Sequence, residues 1–362
     1  MPTLRVAALQ PKRRTLPYKL PYAEALEQVR RNLDELAGLA EEAARQGCRI
    51  IGFPEDTLGT LEWEAGNPGQ LYAFLREAEA LMLERLGAVA AQHRMPIACC
   101  NDCAEGEDIY NTAILLGTDG KEIGRYHKVQ PTLGESSRKR GTHFPVFEVP
   151  GIGTVGLCIC YDILFPETTR ALALAGADLV FHLTLGGASM GIPEADLAAF
   201  RTRASENFIY LVVAFRGGGS MVIGPKGEIL AEGGKAQDAV VAADIDPSAG
   251  REAGDSLGGL TADFRARLFR ERNPEAYQIL TDPHPPALDK LRHIPVPSIE
   301  RAAALMAEGL TTGADAFYEA DHWLAAGRTE EARACFEELA AHFGTIWIGR
   351  VSRERLEQLG QR

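Results

Sequence analysis

A short apolar run that ends on a cysteine and breaks at once into polar, turn-prone residues constrains this chain most. It lies in Thr154-Val-Gly-Leu-Cys-Ile-Cys-Tyr-Asp-Ile-Leu-Phe-Pro-Glu167. Val155 to Ile159 has the length and β-branching of a buried strand, and Thr169-Arg-Ala-Leu-Ala-Leu-Ala175 reads as a helix. A cysteine between the end of a buried strand and the start of a helix is held on a sharp turn. Its thiol can face a cleft, and nearby backbone N–H groups can point at an anion. Most free cysteines are instead small buried hydrophobes. That reading suits Cys158, flanked by Leu157 and Ile159, and suits Cys160 poorly, because Tyr161-Asp162 follow immediately. On this stretch alone, nucleophile and packing residue are evenly matched.

A chain of 362 residues exceeds the size at which single cores stop growing, so one large domain with an appendage is expected. The net charge of −12 argues against a nucleic-acid or anionic-membrane partner, and the basic triplets Lys12-Arg13-Arg14 and Arg138-Lys139-Arg140 are too short to overturn that. No segment reaches the roughly 18 uninterrupted apolar residues of a membrane span. The first ten residues move straight into a strand and lack the anatomy of a signal peptide. Seven cysteines form no metal or disulfide spacing; Cys99-Cys100-x-x-Cys103 lacks a second pair. A reduced, cytoplasmic protein without metal or cofactor is expected.

Along the chain, Leu4 to Leu9 reads as a strand and Tyr22 to Gln46 as a helix whose Leu26, Val29, Leu33 and Leu36 share a face. Cys48-Arg-Ile-Ile-Gly-Phe-Pro-Glu55-Asp56 is a buried strand ending on acids. A carboxylate there is where open α/β folds place functional groups, and Asp56 reads as the solvated loop acid of the two. Residues 69 to 94 form a second helix, followed by strands at Met95–Cys100, Tyr110–Gly117 and Lys121–Lys128. Further strands are expected at Phe144–Val149, Ala177–Leu183, Phe208–Phe215 and Ala239–Ile245, with a hairpin at Ser220–Leu230. The loop Thr184 to Pro193 carries Gly186, Gly187 and Gly191 and is flexible enough to line a pocket. Strand–helix–strand units combined with hairpins predict an α/β fold, a mixed sheet with helices outside.

Glu55, Lys128 and Cys160 each fall at the C-terminal end of a predicted strand. In this order, with Phe53-Pro-Glu55, Tyr126-His-Lys128, Pro131-Thr132, Glu135 and Cys160-Tyr-Asp-x-x-Phe-Pro-Glu167, the chain resembles the nitrilase, or carbon–nitrogen hydrolase, superfamily. Arg201-x-Arg-Ala-x-Glu-Asn207 and Ser220-x-x-x-Gly-Pro-x-Gly227 match later blocks, so the resemblance runs from about residue 4 to about 280. It implies a four-layer α-β-β-α sandwich that pairs into a homodimer or higher homo-oligomer. It implies Cys160 as nucleophile, Glu55 as general base, Lys128 as transition-state stabiliser and Glu135 as an additional pocket glutamate. The Tyr161 N–H is expected as second oxyanion donor, with Thr184 and Gly186 on the substrate side. These roles suit the chemistry: an amide carbon is a poor electrophile, and a thiol needs a base at neutral pH. His127, beside Lys128, points to the other face of its strand.

The family hydrolyses nitriles, amides and carbamoyl groups and includes acyl transferases. Tyr161-Asp162 after the nucleophile is closer to the amidase and carbamoylase branches, whereas Pro131-Thr-x-x-Glu135 is also seen in nitrile-cleaving relatives. Ile163-Leu164 replaces the Arg that often grips a substrate carboxylate. A catalytically silent scaffold is the alternative class; it would be favoured by loss of Glu, Lys or Cys, and all three are present.

The expected organisation is a hydrolase domain over 1–280, a proline-rich linker over 281–297 and a helical extension over 298–362. Ala316-Phe-Tyr-Glu-Ala-x-x-Trp-Leu-Ala-Ala-Gly327 and Thr329-Glu-Glu-Ala-x-x-x-Phe-Glu-Glu-Leu339 resemble one tetratricopeptide-type helical hairpin. One repeat cannot bury its apolar face alone. Docking within the homo-oligomer, away from Cys160, is the expectation.

Overall fold

A computed structural model describes residues 3–185, 193–247, 264–344 and 346–360. Two six-stranded mixed sheets stack face to face between helices, which is the four-layer α/β sandwich expected. The first sheet contains β1 (Leu4–Gln10), β2 (Ile50–Gly52), β3 (Ile97–Glu105), β4 (Asp108–Leu116) and β5 (Glu122–His127). The second contains β6 (Val146–Val149), β7 (Gly153–Ile159), β8 (Leu179–Thr184), β9 (Tyr210–Phe215), β10 (Met221–Ile223) and β11 (Ile229–Glu232); β12 (Ala239–Ile245) returns to the first. The orders are β12-β1-β2-β3-β4-β5 and β11-β10-β9-β8-β7-β6, each with three parallel strands at its centre and antiparallel strands outside.

Strand alternation divides the core into three parts. Val6, Ala8, Ile50, Ala98, Ala113 and Leu115 of the first sheet meet Val155, Leu157, Ile159, Phe181 and Val212 of the second in the central seam. The intervening Ala7, Leu9, Ile51 and Ile97 face outward onto α1 (Tyr22–Arg45) and onto the helix at Leu71–His93. Cys158, Val180, Leu211 and Val213 face outward from the second sheet, toward the helices Pro166–Leu174 and Pro193–Asn207. Each Val, Leu, Ile or Phe among them buried from water contributes about 1.5–3 kcal/mol. The seam is tight at β2, where a Cβ on Gly52 would lie 2.5 Å from the Phe181 ring of the opposite sheet.

A short helix, α2 (Leu61–Gly66), follows β2; the longer helices then run as α3 (Leu71–His93), α4 (Pro166–Leu174), α5 (Pro193–Asn207) and α6 (Phe264–Glu271). The proline-rich run expected as a plain linker holds a helix of its own, α7 (Pro286–Leu291), and its side chains are nearly all exposed. Beyond it come α8 (Ile299–Glu308), a π-helical turn at Gly309–Gly313, α9 (Ala314–Ala325), α10 (Thr329–His342) and α11 (Trp347–Gly360). Phe317 and Ala320 of α9 pack with Phe336 and Leu339 of α10, Phe343, and Ile348 and Leu359 of α11. The apolar face of this hairpin, expected to dock within the homo-oligomer, is thus covered largely by a third helix.

The expectation that this segment sits away from Cys160 is corrected. Helix α8 lies against the turn Leu133–Glu135, and the π turn lies against α2. Asp315 accepts from the Tyr18 hydroxyl (3.2 Å) and from Lys19 Nζ (2.5 Å). Apolar spacing within a helix says which face is buried and nothing of which distant surface receives it. Among the described residues no helix is long and apolar enough to cross a membrane.

Candidate active site

The end of β7 sorts the two cysteines, which alternation alone would put on one face. Val155, Leu157 and Ile159 point into the seam and Cys158 points outward, where its Sγ lies 3.5 Å from His182 Nδ1. Strand β7 stops at Ile159, and the next residue turns into the left-handed region at φ 45°. A non-glycine residue there is unusual and is held by its surroundings. Asp162 does much of the holding. Its buried carboxylate accepts from the Ile159 N–H (2.9 Å) and the Tyr126 hydroxyl (2.7 Å) on one oxygen, and from the Gln130 N–H (2.9 Å) on the other. Asp162 therefore ties the cysteine turn to the chain on both sides of Lys128. Burial pushes its pKa up to about 6, against the pull of those three donors.

Glu55 follows β2 and Lys128 follows β5, and both are 2% exposed. Lys128 Nζ lies 2.9 Å from Glu55 Oε1 and 2.9 Å from each oxygen of Glu135. Asn111 Nδ2 bridges the same two carboxylates, 2.8 Å from Glu55 and 3.0 Å from Glu135. The Leu185 N–H reaches the other Glu55 oxygen at 3.2 Å. Glu135 closes a capping box on its own turn, accepting from the Thr132 N–H at 2.7 Å.

The charges follow from this packing. Burial alone would lower the Lys128 pKa, but Glu135, Glu55 and Cys160 around it hold it well above the usual value, so it stays an ammonium. Burial would raise Glu135, and Lys128 with the Thr132 N–H keeps it below the ordinary carboxylate range. The Cys160 thiol is pushed up to about 12, first by burial and then by Glu55; Lys128 and a hydrogen bond with Thr184 pull the other way. The resting cysteine is neutral, so a nearby lysine does not by itself yield a thiolate here. For such a thiol to act as a nucleophile, a base would have to take its proton.

Of the residues singled out in the sequence, Glu55, Lys128 and Glu135 are joined by hydrogen bonds, and Glu55, Lys128, Thr184 and Glu135 all act on the half-buried Cys160 thiol. Tyr161 lies in the 3-10 turn Cys160–Leu164, its ring edge-on to Phe165. Gly186 lies outside the described residues. Asp56 is corrected: it is buried, accepts from the Thr60 N–H (2.7 Å) and pairs with Arg216 at 2.5 Å. In the basic loop, Arg138 turns inward to Asp102 (2.7 Å) and Glu64 (2.5 Å). Sequence reasoning missed Asn111 and the role of Asp162. The signal for Asn111 was a polar residue inside an apolar strand, which must find partners when buried. Among the described residues no group of three or more His, Cys, Asp or Glu is placed to hold a metal ion.

Comparison with known proteins follows the same outline. Residues 5–255 match the family model described as carbon–nitrogen hydrolase. The chain is 30% identical over 240 residues to a deaminated glutathione amidase from Synechocystis sp., covering 60% of this chain and 86% of that protein. It is 31% identical over 229 residues to a nitrilase from Pyrococcus abyssi, covering 60% and 84%. Among solved structures, an amidase from Nesterenkonia sp. with the acetamide moiety of fluoroacetamide added covalently at its active site cysteine aligns with a TM-score of 0.60 at 25% identity, covering 76% of this chain and 95% of that one.

Proposed function

The chain belongs to the carbon–nitrogen hydrolase family, and from that membership we propose that it cleaves the C–N bond of a small amide or carbamoyl compound through a Cys160 thioester, releasing ammonia or an amine. The observation that carries this reading is one buried ammonium, Lys128, held between two carboxylates beside a neutral thiol. Glu55 takes the thiol proton as sulfur attacks the carbonyl carbon, and returns it to the departing nitrogen. It then activates the water that cleaves the thioester. Lys128 and the Tyr161 N–H receive the charge that develops on the carbonyl oxygen; losing one such donor typically costs about 2.7–4 kcal/mol. Glu135 positions Lys128, and Thr184 orients the thiol.

The amidase relatives support an amide substrate, among them a formamidase from Bacillus cereus at 27% identity. A second reading, nitrile hydrolysis by the same residues, is favoured by the Thr132–Glu135 turn and by the nitrilase relative. We assign residues 1–280 to the hydrolase domain, 281–297 to the connection and 298–362 to a tetratricopeptide-like extension of a cytoplasmic homo-oligomer. Exposed Ile279 and Leu280 support an assembly contact. The test is ammonia release by the purified protein from small amides, ureido acids and nitriles. Cys160→Ala abolishes release while the protein stays folded, and Cys158→Ala retains most of it. Dependence on Cys158 in place of Cys160 refutes the assignment.

A further inference from the structure

The turn that carries Glu135 is three residues long, Leu133–Glu135, and lies at the surface, with Leu133 43% exposed. Its local ties are a capping box, in which the Thr132 N–H donates to Glu135 Oε2 at 2.7 Å and the Thr132 side chain accepts from the Glu135 N–H, and two backbone bonds, Glu135 N–H to Thr132 O at 3.0 Å and Arg138 N–H to Glu135 O at 2.8 Å. So short a helical turn is marginal without packing. Yet its glutamate makes both 2.9 Å contacts to Lys128 through Oε1 and Oε2. Precision at Lys128 requires support from outside the turn.

Helix α8 lies on this turn. Met306 covers Gly134 so closely that a Cβ there would stand 2.4 Å from the methionine sulfur and 3.1 Å from its Cβ. Glycine at 134 is what lets the side chain seat flush. The helix is itself anchored at two further places: the π turn Gly309–Gly313 meets α2, and Asp315 binds Tyr18 and Lys19. The loop after β1, the helix after β2 and the turn after β5 are thereby joined by one C-terminal element.

We infer that the C-terminal helices are part of the catalytic apparatus, and that Met306 is a positioning residue, holding the Glu135 turn so that Glu135 keeps Lys128 aimed at the reacting oxygen. The inference rests on the proposed chemistry for its kinetic consequence and on geometry for the rest. Substrate does not touch Met306; its effect passes through Glu135 and falls on the transition state. A sub-ångström drift of a catalytic group costs on the order of tenfold or more in rate.

The experiment compares full-length wild type, Met306→Ala and Met306→Leu, a volume-conserving replacement. Turnover on an amide found in the ammonia screen gives kcat and KM. Alkylation of Cys160 by iodoacetamide across pH, followed by intact mass, reports the field at the thiol without turnover. Met306→Ala lowers kcat by on the order of tenfold with KM within about twofold. It also moves the alkylation midpoint to lower pH, because Glu135 adds to the negative field on the thiol. Met306→Leu restores both. Wild-type kcat and an unmoved midpoint in Met306→Ala overturn the inference. So does a lower melting temperature with kcat and KM changed together and the midpoint unmoved, which is the mark of a merely structural contact. If wild type releases ammonia from nothing tested, the proposed chemistry fails, and the alkylation midpoint alone decides the role of Met306.

Discussion

Replacing Lys128 with Met removes the ammonium that bridges Glu55 and Glu135 and leaves both carboxylates in place. Each 2.9 Å contact of the ammonium with Glu55 or Glu135 is about 6 kcal/mol of attraction at an effective dielectric near 20. The net value is smaller, because all three groups lose hydration on burial. Removing one partner of such a network costs about 3–5 kcal/mol. The pH dependence carries the sharper information. In wild type the Glu135 pKa lies below its usual 4.5, so its contribution is complete above that value and is lost as pH falls through the folded pKa. Without Lys128, burial acts on Glu135 with its main opponent gone and the folded pKa rises above the unfolded one. Stability is then greatest below the unfolded pKa and declines as pH rises through the folded one. Thermal and urea unfolding followed by circular dichroism at pH 5 and pH 8 checks this. At pH 8 Lys128→Met is less stable than wild type by about 3–5 kcal/mol, and much of that deficit is gone at pH 5. Adding Glu135→Gln to Lys128→Met recovers stability at pH 8 without recovering ammonia release. A deficit equal at both pH values, or none, refutes the charge balance drawn here.

On the proposed chemistry, Glu55→Gln leaves the neutral thiol without its base and lowers turnover by about 10²–10⁴-fold, and Glu135→Gln lowers it less; steady-state ammonia assays separate the two. Glu62, on α2 beneath the C-terminal helices, has its pKa pushed up to about 7, first by burial and then by Asp315. The folded state therefore holds that proton more tightly than the unfolded one. Stability from this site is full below about 4.5 and is lost as pH rises through about 7. Glu62→Gln melts at a higher temperature than wild type at pH 8, by on the order of 1–2 kcal/mol once solvent screening is allowed for, with the difference vanishing near pH 4.5.

The strand-end placement of Glu55, Lys128 and Cys160 was legible because an apolar run and its end are local properties. Cys158 lies inside the apolar run and Cys160 just past its end, where Tyr161-Asp162 break it, and the strand ends at Glu55 and Lys128 are local too. Asn111 was not legible, because its role depends on register. Pairing of Thr112 with His127 sets the Asn111 carbonyl to accept from the Lys128 N–H at 2.9 Å and brings its amide to both glutamates. Asp56 was misread for a related reason: its partner Arg216 lies 160 residues away, and a loop acid with a distant cation looks like a solvated one. Helical spacing in the C-terminal segment predicted α9 and α10, yet the seating of Met306 on Gly134 is a match of two surfaces that neither segment encodes alone.

The pairing of β12 with β1 has a consequence for synthesis. Leu4 pairs with Ile245 and Gln10 with Ala239, so the first sheet is completed by residues nearly a whole domain later. While a ribosome is still translating the second sheet, β1 presents an open edge carrying Val6, Ala8 and Leu9, a template for pairing with another nascent chain. So non-local a closure is slow as well as late, because loop entropy is lost before the contact is gained. A stop codon or ribosomal stall between codons 186 and 239 leaves every residue of the thiol–ammonium cluster translated on a chain whose first sheet is still open. Such products are expected to reach inclusion bodies and chaperones ahead of any substrate.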